Sequence, residues 1–237
     1  MKKTTVLLSI WALAWAARAH AFCREPQPRL VCAEYYDSQL VVEATLIKID
    51  PVIDKSDPEG IDAYFYTMRS DRVLRGTVQG AFRIYEGNDS GRATFDWRIG
   101  TKYLLFLFRS PVENGWSLDG CGNSSPAAQT RTALDDIDRI NSSGSIGWIS
   151  GKVSGETFST PIPDVHLLIR GVAGTYKATT DQQGTFRVAV PPGGYTVEPI
   201  QPPLPLEPDA LSYENPRHIV ILQGGCAQVQ FSESSPR

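Results

Sequence analysis

Cysteine, histidine and clustered acids are the side chains of this 237-residue chain best suited to chemistry, and none sits at a catalytic spacing. Cys23, Cys32, Cys121 and Cys226 form no Cys-x-x-Cys pair and have almost no histidine nearby, so zinc ligation is not indicated. An even cysteine count favours disulfides in an oxidising compartment, and four cysteines allow three pairings. Of the three histidines, His20 lies in the N-terminal segment, His166 in the strand-like run Val165–Ile169, and His218 just before another such run. A Ser-His-Asp or Cys-His constellation would have to be assembled in the second half of the chain or across the junction between halves. Both histidines are expected at the surface or the edge of a core. Cys121, flanked by Gly120 and Gly122, has no base in sight and reads as a disulfide cysteine.

Asp50, Asp54, Asp57, Glu59 and Asp62 crowd one Pro- and Gly-containing stretch, but their spacing is not that of an EF-hand. A solvated hairpin tip is the reading, with weak Ca²⁺ binding as the minor alternative. Asp135, Asp136 and Asp138 read as a solvated helix face. No phosphate-binding loop, dinucleotide fingerprint or metalloprotease helix occurs. The expectation is therefore no catalytic residue, no metal ligand and no cofactor. Of the aromatics Tyr35, Tyr36, Trp97, Trp116 and Trp148, most are expected in cores, with Trp148 between domains. Sugar stacking on an exposed ring stays open.

The N-terminus reads as a secretory signal. Lys2 and Lys3 precede a nearly all-apolar run, Val6 to Ala17, and Ala19-His20-Ala21 closes it. The run is too short for a bilayer, which needs about 20 residues. Cleavage after Ala21 makes Phe22 the first mature residue and places the protein in the periplasm or the medium. It also removes Lys2, Lys3 and Arg18 from 23 basic residues and leaves all 26 acids, for a net charge near -6. An acidic exported chain has no electrostatic attraction for phosphate backbones, so nucleic acid is excluded as a partner. No later segment is long and apolar enough for a membrane helix.

The polar, Gly-containing stretch at residues 142–147 reads as a linker. Before it, Ala127 to Ile140 has helical spacing at Ala128, Ala133, Leu134, Ile137 and Ile140, with Pro126 at its start. The rest of the first half reads as strands: Leu40–Ile49, Ala63–Met68, Arg72–Leu74, Ala81–Tyr85, Tyr103–Phe108 and Trp116–Leu118. These predict a five-stranded OB-type barrel with one packed helix. After the linker, seven short runs predict a β-sandwich: Trp148–Val153, Asp164–Arg170, Thr175–Thr180, Thr185–Val190, Tyr195–Pro199, His218–Leu222 and Ala227–Phe231. Gln201 to Asn215, rich in proline, reads as an extended surface loop. The domain plan is signal 1–21, barrel 22–141, linker 142–147 and sandwich 148–233.

Two resemblances add to this plan. Thr180-Asp181-Gln182-Gln183-Gly184-Thr185-Phe186, followed by Pro191-Pro192-Gly193-Gly194-Tyr195-Thr196-Val197, resembles the core of carboxypeptidase regulatory-like domains, which are prealbumin-like sandwiches. The match runs from about Gly147 to Phe231. It implies a stability or interaction module without activity. In such a turn Asp181 accepts backbone N–H bonds, Gly184 supplies a positive φ, and Phe186 and Tyr195 point inward. Cys23 and Cys32 around a Pro-rich octapeptide, then Ser38-Gln39-Leu40-Val41-Val42-Glu43-Ala44, Gly100 to Phe106, Gly115-Trp116 and Cys121-Gly122, resemble the netrin-like domain shared with tissue inhibitors of metalloproteinases.

That second resemblance implies a Cys23–Cys121 disulfide. It leaves Cys32 and Cys226 to form an interdomain bond, to stay free, or to let Cys226 join another chain. In the inhibitors a leading cysteine chelates the protease zinc through its amine and carbonyl. Here Cys23 matches the second cysteine of that motif, and the leading position falls on Ala21, inside the signal. Phe22 and Cys23 remain the candidate inhibitory N-terminus. The functional expectation is an exported, non-catalytic protein that binds an extracellular or envelope protein or polymer. The alternatives are an inhibitor of an extracellular metalloprotease and, last, a hydrolase with an interface site at His166 and His218.

Overall fold

The computed structural model describes residues 29–56, 60–89, 92–111, 115–142, 146–155, 160–209 and 212–234. The signal segment, Phe22, Cys23 and residues 143–145 of the linker lie outside them.

The first half closes into a barrel. Its strands are β1 (Leu40–Ile53), β2 (Ile61–Arg75), β3 (Ala81–Gly87), β4 (Lys102–Arg109) and β5 (Trp116–Leu118). They follow the order β1-β2-β3-β5-β4, and β4 pairs back onto β1 from Leu40↔Leu107 to Thr45↔Lys102. All pairs are antiparallel except β3 with β5, which run parallel at Ile84↔Trp116. Alternation decides what fills the interior. Leu40, Val42, Ala44 and Leu46 of β1 meet Met68 of β2, Phe82 and Ile84 of β3, and Leu105 and Leu107 of β4. Register shifts along β1 and β2 mark bulges, which bend and twist this long ribbon around the barrel.

β1 and β4 are buried on both faces. Val41, Leu104 and Phe106 point out of the barrel and lie under two helices, α1 (Val31–Asp37) and α2 (Arg131–Ser142), through Tyr35, Ile137 and Ile140. This explains why Leu40–Val42 and Tyr103–Phe108 read as unbroken apolar runs. The sequence predicted one helix, and the second is α1. Seven residues give too little periodicity to read, and the segment sits among cysteines. The helix expected over Ala127–Ile140 begins as a 3-10 turn, Ala127–Gln129, and becomes α-helical only from Arg131. Ser125–Pro126 just before it form β6, a two-residue strand on β4. The runs Ala63–Met68 and Arg72–Leu74 are one strand, β2.

The second half is a sandwich of two four-stranded sheets. The strands are β7 (Gly147–Ser154), β8 (His166–Gly171), β9 (Gly174–Thr179), β10 (Thr185–Val190), β11 (Gly193–Ile200), β12 (Leu206–Pro208), β13 (Ile219–Ile221) and β14 (Cys226–Glu233). One sheet has the order β10-β7-β14-β12 and the other β13-β11-β8-β9. Ile149, Val153, Leu167, Ile169, Phe186, Tyr195, Val229 and Phe231 form the core between them. Seven strands were expected. The eighth, β12, lies inside the proline-rich segment read as loop, where Pro208 ends a short edge strand facing Phe231. The Asp181 turn forms as its motif implies. Asp181 Oδ1 accepts the N–H groups of Gln183 and Thr185, and Gly184 has φ +69°.

Strands make up 52% of the described residues and helices 12%, so the protein is mainly β. The halves share a third apolar cluster in which Cys32, Tyr35 and Ile140 of the first half meet Cys226 and the half-buried Trp148 of the second. A Cys32–Cys226 disulfide spans 194 residues through this cluster, with Cα atoms 5.6 Å apart. The Leu30 N–H donates to Gln228 Oε1 at 3.1 Å, and the Tyr36 hydroxyl donates to the Gln223 carbonyl.

Candidate binding site at the barrel mouth

Period two carries β3 inward at Phe82, Ile84 and then Glu86, so a carboxylate occupies the register position where a third apolar residue would close the barrel. Glu86 is 8% exposed and fully engaged. Its Oε2 accepts the Tyr66 hydroxyl at 2.9 Å and the Trp97 indole N–H at 3.1 Å. Its Oε1 accepts the Ala93 backbone N–H at 2.7 Å. One acid thus fastens β2 and the segment Ala93–Trp97 to the end of β3. Burial, and then the adjoining Glu86 carboxylate, push the Tyr66 phenol well above its ordinary range, which keeps it protonated and donating.

The rings gathered here form a connected array. Tyr66 stacks on Trp97 with centroids 4.3 Å apart, and Tyr64 stacks beside Tyr66 at 6.0 Å. Phe95 meets Trp97 edge-on at 4.9 Å, and Tyr103 backs both. Tyr103 is itself fixed, its hydroxyl accepting the Arg98 N–H at 2.7 Å. Above the rings opens a cavity of about 560 Å³ that reaches Ile49, Tyr64, Glu86, Arg92 and Trp97. Arg92 donates to Asn88 Oδ1 at 2.9 Å. Tyr64, Phe95 and Trp97 are only half-buried, so ring faces line an opening of ligand size. Glu86 has its oxygens committed to three donors and serves as an anchor of the site.

A second polar concentration lies where the halves meet. Glu34 of α1 is fully buried; its Oε2 accepts the N–H and the side-chain amide of Asn123, and its Oε1 has no partner. Burial raises its pKa to about 7, against the lowering by Asn123 and Arg29. Burial likewise raises Glu214 to about 7, against the Gln228 N–H and Arg29. Arg29 lies over the Tyr213 ring and pairs with Asp37.

The residues singled out from the sequence are scattered. His166 faces Thr179 Oγ1 at 3.0 Å, on the exposed face of its sheet. It pairs in register with Ile200 of β11, whereas His218 precedes Ile219, which pairs with Tyr195 on the other side of β11. The two histidines are not brought together. In the acidic stretch Asp50 pairs with Lys48 and Asp54 accepts the Ser56 N–H. Asp57 and Glu59 lie outside the described residues. Among those residues no group of three metal-ligating side chains occurs. Asp136 pairs with Arg139 on α2. Trp116 is a barrel-core residue, and Tyr35 and Tyr36 sit under the junction. Cys121 is disulfide-bonded, while its expected partner Cys23 lies outside the described residues. Of the five aromatics only Trp97 reached the mouth site. Glu86 was missed, although the inward register Phe82, Ile84, Glu86 carried the signal.

The fold and site define a mainly β protein, an OB-type barrel with an aromatic mouth joined to a β-sandwich. No family model matches the chain, and no curated protein matches it. Among solved structures, the Bacillus anthracis TIE protein is 14% identical over 83% of this chain, at a TM-score of 0.30. The match covers 31% of that protein, so this chain spans about a third of its length. A C-terminal fragment of the pilus adhesin SpaC from Lactobacillus rhamnosus GG is 8% identical, covering 88% of this chain and 94% of the fragment, at a TM-score of 0.27. No described helix is long and apolar enough to cross a membrane.

Proposed function

We propose that this chain is an exported, non-catalytic binding protein of the cell envelope or the medium, and that it holds a neutral sugar ring of a surface polymer at the barrel mouth. The observation that carries the reading is the Tyr64–Tyr66–Trp97 array, stacked at an open end of the barrel and fixed by Glu86. A pyranose has an apolar C–H face that packs on an aromatic ring, and hydroxyls that reach polar groups at the rim. The acids Glu86 and Asp96 at this cavity outnumber its one cation, Arg92, a balance that does not select for an anionic ligand. The Lys2-Lys3 start, the apolar run and Ala19-His20-Ala21 support export, as does a disulfide of the kind that persists in oxidising compartments. The netrin-like and carboxypeptidase regulatory-like resemblances support a binding role without turnover.

The test is a titration with neutral cello-, manno- and chito-oligosaccharides, followed by tryptophan fluorescence, with mass spectrometry of the sugars after incubation. Saturable binding is expected, with the sugars recovered intact and the affinity lowered at least tenfold by Tyr64→Ala. Absence of binding across the panel, or cleavage of a sugar, overturns the reading.

A further inference from the structure

The outer face of the β10–β7–β14 sheet carries a second cavity, of about 450 Å³. Strand register lays out its floor in two rows. Gln228, Ser150 and Arg187 lie side by side across β14, β7 and β10, and Gln230, Lys152 and Thr185 form the next row. Trp148 closes one end, and Leu30 reaches in from the first half of the chain. Two groups on this floor have polar capacity that no described residue takes up. Gln230 is 4% exposed, and its Nε2 is buried without a hydrogen-bond partner. Arg187 lies over the Trp148 ring, 4.3 Å from its centroid, and makes no ion pair among the described residues. The acid at the rim, Asp181, does not neutralise it, because its oxygens are turned into its own loop toward Gln183 and Thr185.

We propose that this cavity binds an acidic saccharide. Its carboxylate pairs with the Arg187 guanidinium, which stacking on Trp148 holds in place before the ligand arrives. A ring hydroxyl or glycosidic oxygen accepts the Gln230 amide N–H, and the Ser150 hydroxyl at the centre of the floor serves a neighbouring hydroxyl. Buried polar groups are ordinarily hydrogen-bonded, so an orphaned amide in a cavity wall marks a place for an acceptor. A peptide fits this site poorly. Extended peptides are recognised by adding a strand to a free sheet edge, whereas this floor is the face of β7, paired on both sides. The site lies on the sandwich and stands apart from the barrel-mouth reading.

The experiment is calorimetric titration of the full chain with trigalacturonic acid, with neutral galactotriose and a hexa-aspartate peptide as controls. Saturable binding of the uronate is expected, at least tenfold tighter than either control and accompanied by a change in Trp148 fluorescence. Arg187→Ala, at an exposed position, weakens it at least tenfold at unchanged thermal midpoint, and Gln230→Glu weakens it by a similar factor. Tyr64→Ala leaves it unchanged, which separates this site from the barrel mouth. No uronate binding, equal binding of galactotriose, or unchanged affinity in Arg187→Ala overturns the proposal. Peptide binding as tight as uronate overturns the saccharide assignment.

Discussion

The carboxylate of Glu34 accepts both the backbone N–H and the side-chain amide of Asn123, at 2.7 and 2.6 Å, while its other oxygen is buried with no partner. Half of this group is served and half is stranded, which is a poor environment for a full charge. Burial accordingly raises Glu34, and Glu214 nearby, from 4.5 to about 7. Because the folded-state value lies above the unfolded one, the folded state binds the extra protons between these limits. The associated stability is fully present below about pH 4.5 and is lost as pH rises through 7. The loss amounts to at most about 3 kcal/mol for each group. Urea unfolding at pH 5, 6, 7 and 8 should show a midpoint that falls across this window. Glu34→Gln, which keeps the shape without the charge, should flatten part of the slope and stabilise the protein at pH 8 by about 1–3 kcal/mol. A midpoint that is level or rises from pH 5 to 8 contradicts the argument.

Cys32 and Cys226 close a loop of 194 residues, so nearly the whole described chain is constrained by one bond. Chain-entropy arguments set a ceiling near 5 kcal/mol for a loop of this length, and measured values are commonly about 2–4 kcal/mol. Cys226→Ser should therefore lower the unfolding free energy by about 2–4 kcal/mol. The apolar cluster around Tyr35, Ile137 and Ile140 should keep the halves folded. Denaturation of the variant beside the wild type, both without reductant, checks this. An unchanged midpoint shows that the apolar cluster alone couples the halves.

Much of the fold was legible because burial pattern and strand type agree. Leu40–Val42 and Tyr103–Phe108 read as continuous apolar runs because helices cover the outside of β1 and β4, and Phe186, Val188 and Val190 alternate because one face of β10 is wet. The Asp181 turn was legible because one short stretch supplies both its acceptor and its positive φ. What escaped was set by tertiary contact. The helix α1 is short and is held by the junction it packs against; β12 exists only because β14 lies beside it. Glu34 is an ordinary acid in the sequence that only docking of α1 buries, and the alternation Phe82, Ile84, Glu86 turns Glu86 inward but only closure of the barrel buries it. The candidate site was legible at Trp97 alone, since Tyr64 and Tyr66 meet it from β2 and Glu86 from β3.

Glu86 offers a direct check on the mouth. In Glu86→Gln an amide N–H₂ replaces one acceptor oxygen and must face either the Ala93 N–H or the Tyr66 and Trp97 donors. Hydrogen bonds to a charged acceptor contribute about 1.5–3 kcal/mol each, and an unserved buried donor costs about 1–3 kcal/mol. The variant should lose about 2–4 kcal/mol of stability. Its near-ultraviolet circular dichroism should also weaken as the Tyr66–Trp97 stack loosens. Wild-type stability with an unchanged aromatic spectrum argues against Glu86 as the fastener of the Ala93–Trp97 segment.

Gly184 ends the Asp181 turn at φ +69°, and a Cβ built there would lie 2.5 Å from the Val153 carbonyl oxygen and 3.0 Å from the Ile162 nitrogen. Both neighbours are backbone atoms of hydrogen-bonded segments: the Val153 N–H donates to the Gly184 carbonyl, and the Ile162 N–H donates to the Val153 carbonyl. Neither can move without breaking one of these bonds. Left-handed backbone costs an L-residue about 1–2 kcal/mol, and overpacking adds about 1–3 kcal/mol. Gly184→Ala should therefore destabilise the sandwich by about 2–4 kcal/mol. Asp181→Ala should cost less, because its acceptor role passes to water at the surface while the backbone geometry stays available to glycine. Denaturation midpoints of the two variants test the order. If Asp181→Ala proves the more damaging, the acceptor rather than the backbone geometry sets the turn.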